Sequence, residues 1–229
     1  VWWCLKLDFE VLYGPAYTLL EVSLGGGEGV EAEAGAMVYM SKGVGVKTAA
    51  KGGVLGALSR RLLGGESFFL NTFIAGPDGG KVGLAPPYQG DIAHHRLEDG
   101  SLFVQSGSYL ASSPGLRVDT KWGGARSFFS REGLFLLKIS GRGDAFISSF
   151  GAIHRVELQG ECITIDTGHM VAFTEGLDYQ VERVGGIKST LLSGEGLVAR
   201  FSGTGVLYIQ TRSVDSFLGW LLPFLPQQR

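Results

Sequence analysis

Cysteine is nearly missing from this chain: Cys4 and Cys162 are the two thiols in 229 residues. They are too few and too far apart for a disulfide scaffold or a zinc cluster, so two separate, reduced, structural thiols are expected. Charge is sparse as well. Charged residues make up 18% of the chain and the formal net charge is −2, with both signs interspersed. That balance argues against a general nucleic-acid footprint, though not against a small local RNA site. Long apolar runs are absent too: residues 217–225 are interrupted by Gly219 and Pro223 and reach about half of the roughly 20 residues a membrane span needs. No helical crossing of a bilayer is expected. The opening Val1-Trp2-Trp3-Cys4-Leu5 has no basic region, and Lys6, Asp8 and Glu10 interrupt any apolar one, so no secretory leader is expected and cytoplasmic residence is the default. Gly25-Gly26-Gly27 and Gly52-Gly53 lack the lysine and the strand-loop-helix setting of a phosphate loop and read as turns.

What is abundant is glycine, 37 residues, and apolar side chains, 45%, including 14 phenylalanines. This composition suits many short strands joined by tight turns. The glycines also recur. Gly35-Ala36-Met37-Val38, Gly107-Ser108-Tyr109-Leu110 and Gly168-His169-Met170-Val171 each lead, eight residues on, to Gly43, Gly115 and Gly176. Pairs follow at Gly52-Gly53, Gly123-Gly124 and Gly185-Gly186, and then a glutamate before an apolar stretch: Glu66, Glu132 and Glu195. Three units of about 17–88, 89–153 and 154–213 are thus predicted within a single domain spanning 1–229. Before the first glycine of each unit the residues alternate, as in Val30-Glu31-Ala32-Glu33-Ala34, Leu102-Phe103-Val104-Gln105 and Ile163-Thr164-Ile165-Asp166, a period of two that marks a strand. A unit of this size cannot bury its own apolar face, so the three must share a core. An open stack would need a polar capping unit at each end and none is visible, which favours closure: an all-β, triplicated β-prism with pseudo-threefold symmetry.

Two segments fall outside the repeat. In residues 54–63, Leu55, Leu58 and Leu62 share one helical face opposite Arg60, predicting a short amphipathic helix. After Ser213, Asp215 or Ser216 is placed to cap a second helix, about 214–225, that presents Phe217, Leu218, Leu221 and Leu222 before Pro223 stops it.

The blocks Glu33-Ala34-Gly35-Ala36-Met37-Val38-Tyr39-Met40, Gly65-Glu66-Ser67-Phe68-Phe69-Leu70-Asn71, Gly107 through Gly115, and Phe201-Ser202-Gly203 through Ser213 resemble the altered-inheritance-of-mitochondria family and its prokaryotic relatives, from about Phe9 to the C-terminal helix. The resemblance implies a fold similar to the tryptophan RNA-binding attenuation protein, triplicated in one chain. It also implies relatives that sit at the mitochondrial inner membrane and support its organisation. It brings no catalytic residues and no cofactor. Two features depart from it: the extension formed by residues 1–7, and His94-His95 where small apolar residues are expected.

Candidate sites are few. His94-His95, flanked by Asp91, Glu98 and Asp99, has the composition of a metal site, but neighbours on a strand face opposite ways, so a solvated turn is the expected setting and no metal is assigned. His169 lies near Asp166 and Glu175 with no positioned nucleophile, so a hydrogen-bonded structural role is expected. Glu66, Glu132 and Glu195 would form an axial ring if the prism closes, and could then hold a cation. The alternative is that each accepts backbone N–H groups at its strand start, which is the favoured reading. Arg60-Arg61 beside Leu62-Leu63 could touch an anionic lipid surface, at roughly 1 kcal/mol per arginine and therefore only transiently. The apolar tail is the best functional clue: Phe217, Trp220, Leu221, Leu222, Phe224 and Leu225 need a cover. With Leu55, Leu58 and Leu62 they form the candidate interaction surface. The expected function is a non-enzymatic scaffold that self-associates as a homo-oligomer, with peripheral membrane contact. The alternative is a small-ligand or RNA-binding module.

Overall fold

The computed structural model describes residues 6–50, 69–119, 136–183 and 197–226. A first strand group comprises β1 (Asp8–Leu12), β2 (Leu19–Leu24), β3 (Gly29–Glu33), β4 (Met37–Met40), β5 (Val44–Ala50), β6 (Phe69–Ala75) and β7 (Gly80–Leu84). A second holds β8 (Ile92–Leu97), β9 (Ser101–Gln105), β10 (Tyr109–Ser112), β11 (Arg117–Asp119), β12 (Leu136–Ser140) and β13 (Gly143–Ser148). A third holds β14 (Ile153–Gln159), β15 (Ile163–Asp166), β16 (Met170–Thr174), β17 (Leu177–Arg183) and β18 (Leu197–Gln210). Helix α1 (Val214–Leu221) follows, and then a 3-10 turn, Leu222–Phe224. The protein is mostly β, in several antiparallel sheets.

The same pairings occur in each group. In the first, β2 and β4 flank β7 while β3 and β5 flank β6. In the second, β8 and β10 flank β13 while β9 and β11 flank β12. In the third, β18 serves twice. Its first half pairs with β15 and β17, its second half with β14 and β16. The exchange of partners falls at Gly203, whose φ is +109° and whose Cβ, if present, would lie 2.4 Å from the Gly176 carbonyl oxygen, so only glycine fits there.

A register shift marks the same slot three times: between Met37 and Tyr39 on β4, Tyr109 and Ala111 on β10, and Met170 and Ala172 on β16. Each bulge leaves one extra residue, Val38, Leu110 or Val171, out of the ladder and re-aims its side chain. Adjacent groups are joined by a further antiparallel ladder. Strand β10 lies against β3 with Ala111 opposite Ala32 and Ser112 opposite Glu31. Strand β16 lies against β9 with Ala172 opposite Val104 and Phe173 opposite Phe103. The result is a four-stranded sheet, β1-β2-β7-β4, a six-stranded sheet, β5-β6-β3-β10-β13-β8, and an eight-stranded one built on β11-β12-β9-β16-β18-β14 with β15 and β17 on β18.

The core follows these joints. One cluster packs Val22, Val30, Phe73 and Val82 of the first group against Leu110, Ala111 and Phe146 of the second. Another packs Leu102, Val104 and Leu137 against Val171, Ala172 and Tyr208, and a third gathers Ile165, Phe173, Phe201 and Leu207 with Phe103. Strand β9 does not show the alternation its sequence suggests. All five of its residues are buried, whereas β3, its counterpart at the other joint, keeps the alternation.

Among the described strands, the expected closure is not made by a hydrogen-bonded ladder. Each joint uses one strand of the β3 type and one of the β4 type, so three groups in series make two joints and leave one strand of each type over. Among the described strands no ladder links β4 to β15.

Candidate interaction surfaces

Among the described residues, large apolar side chains are uncovered in two consecutive runs, besides scattered ones such as Tyr13 and Val46. The first is β4, a sheet edge on which every residue is exposed, Val38 by 57%. The Tyr39 ring lies over Gly83, where any Cβ would overlap it, and its hydroxyl donates to the Glu21 carboxylate, which also receives Lys81 Nζ. These two partners hold the Glu21 carboxyl below its ordinary value, Lys81 first. A row of apolar side chains on an edge strand is an aggregation hazard unless something covers it. Sequence reasoning missed this edge. The signal was present: Tyr39 and Met40 stand where the other units have Ala111 and Ser112 or Ala172 and Phe173.

The second place is α1. Its N-cap is Ser213, which accepts from the Ser216 N–H, rather than Asp215 or Ser216. Asp215 instead sits in the first turn, where a negative charge suits the helix dipole. No residue of the helix is buried. Phe217 meets Phe150 edge-on at 5.5 Å between ring centroids, and the series continues outward through Trp220 to Phe224. Trp220 is 62% exposed and Phe224 71%, and Leu221 is half-buried. A groove of about 500 Å3 runs between this helix and residues that include Tyr17, Phe150 and His169.

The histidines are structural neighbours of strands rather than parts of a solvated turn. His94 and His95 both lie on β8 and face opposite ways, so each finds its own partner. His94 Nε2 meets Asp144 Oδ1 at 2.8 Å, and its ring packs on Phe9 and Phe146. His95 Nδ1 meets the Tyr208 hydroxyl at 2.9 Å, tying the second group to the third, and burial pushes its imidazole below the ordinary value. His169 Nδ1 meets the Gln210 carbonyl at 2.7 Å, while Asp166 accepts from the Gly168 N–H.

Asp144 is the centre of a cluster the sequence did not reveal. Fully buried, it accepts from the Leu7 N–H and from Arg96 at 2.9 Å each and meets His94, while its own N–H donates to Ser113. Burial alone would raise its carboxyl, but the Leu7 N–H, His94 and Arg96 outweigh it and hold the group below the ordinary range. The sole hint was one acid inside the apolar run Gly-Asp-Ala-Phe-Ile. Both of its carboxylate oxygens are engaged, Oδ1 by His94 and Oδ2 by Leu7 and Arg96.

Leu55, Leu58, Leu62, Glu66, Glu132 and Glu195 lie outside the described residues, as do Arg60 and Arg61. The ring of carboxylates and the first predicted helix are therefore not placed. Among the described residues no group of three His, Cys, Asp or Glu side chains could hold a metal ion. Among them, too, no helix is long and apolar enough to cross a membrane, which says nothing about crossing by strands.

The fold and sequence have close counterparts. An uncharacterised protein of Streptococcus pyogenes serotype M6 is 31% identical over 229 residues, spanning 96% of this chain and 92% of that protein. A crystal structure of a Streptococcus pyogenes protein superimposes with a TM-score of 0.79 at 30% identity, covering 96% of this chain and all of that one. The family model described as "Mitochondrial biogenesis AIM24" matches residues 9–212. With that match spanning nearly every strand described above, the chain belongs to the AIM24 family.

Proposed function

We propose that this protein is a non-enzymatic scaffold that associates with further copies of itself and touches membranes peripherally from the cytoplasmic side. The observation that carries the reading is α1 with the 3-10 turn after it: an amphiphilic tail whose Trp220, Leu222 and Phe224 stand in solvent although apolar side chains of this size gain about 1.5–3 kcal/mol each on burial. A tryptophan at the tip of such a helix suits either a protein groove or the headgroup level of a bilayer. The recurrence of one pairing scheme in three strand groups supports a triplicated unit resembling the tryptophan RNA-binding attenuation protein. Among the described strands β4 pairs only with β7 and β15 only with β18, so each offers a second edge through which units of further copies could join.

Sedimentation of the full chain and of a chain ending at Ser213, each with and without vesicles containing anionic lipid, tests the reading. The full chain is expected to sediment as an assembly and to co-sediment with vesicles through its tail. A monomer that ignores vesicles would overturn it, as would a catalytic turnover abolished by His169→Ala.

One observation favours a second reading, a small-ligand module. A cavity of about 250 Å3 opens between the first and second groups, lined by Leu7, Glu28, Ile74, Arg96 and Arg142 among others. A molecule with that role would sediment identically with and without its tail and would lose ligand on Arg96→Ala.

A further inference from the structure

We propose that β15 of one copy of this chain pairs antiparallel with β4 of a second copy, Ile165 opposite Tyr39 and Thr164 opposite Met40. The inference rests on the self-association reading above and names its joint. It comes from the two joints inside the chain. The β10 and β16 slots align with β4 through their bulges: Tyr109, Met170 and Met37 each precede the extra residue, opposite Ile147, Ile209 and Leu84. Ala111 and Ala172 therefore correspond to Tyr39. On the other side of the joint, Ala32 and Val104 correspond to Ile165, since they lie opposite Asn71, Leu137 and Ala199 in the matching ladders. Ala111 opposite Ala32 and Ala172 opposite Val104 then transfer to Tyr39 opposite Ile165, with Met40 opposite Thr164.

Burial makes the same case. The extra residue of each internal bulge is sealed in the core of the preceding group, Leu110 at 1% and Val171 at 0% exposure, whereas Val38 stands at 57%. The core of the third group, around Ile165, Ala199 and Phe201, is the one that receives no bulge residue from a following group. Val38 of a second copy would take that position by the rule the chain already applies twice. Strand against strand supplies the backbone bonds, and Tyr39 over Ile165 supplies an aromatic–β-branched cross-strand pair. The joint is heterologous, so copies add head to tail, and the series ends only by closing on itself.

The test uses full chains carrying Cys4→Ser and Cys162→Ser. One mixture combines Tyr39→Cys with Ile165→Cys chains, and another combines Met40→Cys with Thr164→Cys chains. Successive antiparallel pairs alternate between Cα separations of about 4.5 and 5.5 Å, both within disulfide reach, so mild oxidation is expected to cross-link at least one mixture. A shifted pair, Met40→Cys with Asp166→Cys, should give about tenfold less. Met40 and Thr164 are exposed, so that pair does not depend on tolerance of a core change. Val38→Asp should leave the chain folded by circular dichroism and weaken assembly about a hundredfold, because it would bury an unpaired charge. An assembly that forms without cross-linking in either mixture, or that Val38→Asp does not weaken, overturns this joint while leaving self-association intact. A monomeric full chain overturns both.

Discussion

Leu110 and Val38 occupy the same slot, the extra residue of a bulge, and meet opposite fates: one is sealed between two strand groups and the other faces solvent. The internal joint and the β4 edge therefore share one bulge geometry and differ in whether a neighbouring strand group covers it. The contrast teaches that exposure of an apolar residue is not decided by its local sequence, since Gly-Ala-Met-Val and Gly-Ser-Tyr-Leu read alike. It is decided by whether a preceding group exists to receive it.

The widest way to break this comparison is to place one charge at all three slots. Leu110→Asp and Val171→Asp should each cost more than about 4 kcal/mol, enough to abolish folding of a marginally stable domain, while Val38→Asp leaves the denaturation midpoint of the isolated chain within about 0.5 kcal/mol. Chemical denaturation followed by tryptophan fluorescence and circular dichroism reads all three. Equal effects at the three slots would show that Val38 is covered within its own chain.

A second series sharpens the contrast between body and tail. Phe146→Ala, at a fully buried ring packed by Phe9 and His94, should cost about 3–5 kcal/mol. Phe217→Ala on α1 should cost less than about 1 kcal/mol in the same assay, its consequence appearing in assembly or vesicle binding instead.

The buried acid comes next. Asp144→Asn keeps the shape but removes the charge that Arg96 and His94 face, and should cost about 2 kcal/mol near neutral pH. Because the folded carboxyl lies below its ordinary value of about 3.9, its stabilisation is present above that value and drains away as pH falls toward the folded one. The wild-type chain should therefore lose stability faster than Asp144→Asn on acidification through that window.

The smallest expected effect belongs to His95. Its imidazole is depressed by burial, so the unfolded chain binds the proton first, and stability should fall as pH drops below about 6.5 toward the folded value. His95→Gln, able to keep a bond to Tyr208, should flatten that slope by no more than about 1 kcal/mol across the window. Denaturation midpoints at pH 5.5 through 7.5 would show it.

Much of the architecture was legible in sequence because the markers have local causes. Gly35, Gly43 and Gly115 sit at positive φ, where an L side chain is disfavoured. Gly176 recurs for another reason: its Cβ would lie 2.0 Å from the Thr204 carbonyl oxygen. The AIM24 resemblance stood on the same blocks that the family model spans. What escaped was non-local. Alternation cannot tell a strand buried on one face from one buried on two, so β9 was misread. Periodicity also cannot say whether three units in series meet at their ends, and among the described strands β4 and β15 share no ladder. The Asp144 cluster escaped because its partners come from residues 7, 94, 96 and 113, which no spacing connects.

The most direct test of the proposed β4–β15 joint is amide hydrogen exchange of the assembled full chain beside its Val38→Asp variant. The account predicts that amides of residues 38–40 and 163–165 exchange in the assembly as slowly as those of β10 and β9, and that the variant loses this protection at both strands together. Rapid exchange at β4 and β15 within an intact assembly would contradict it.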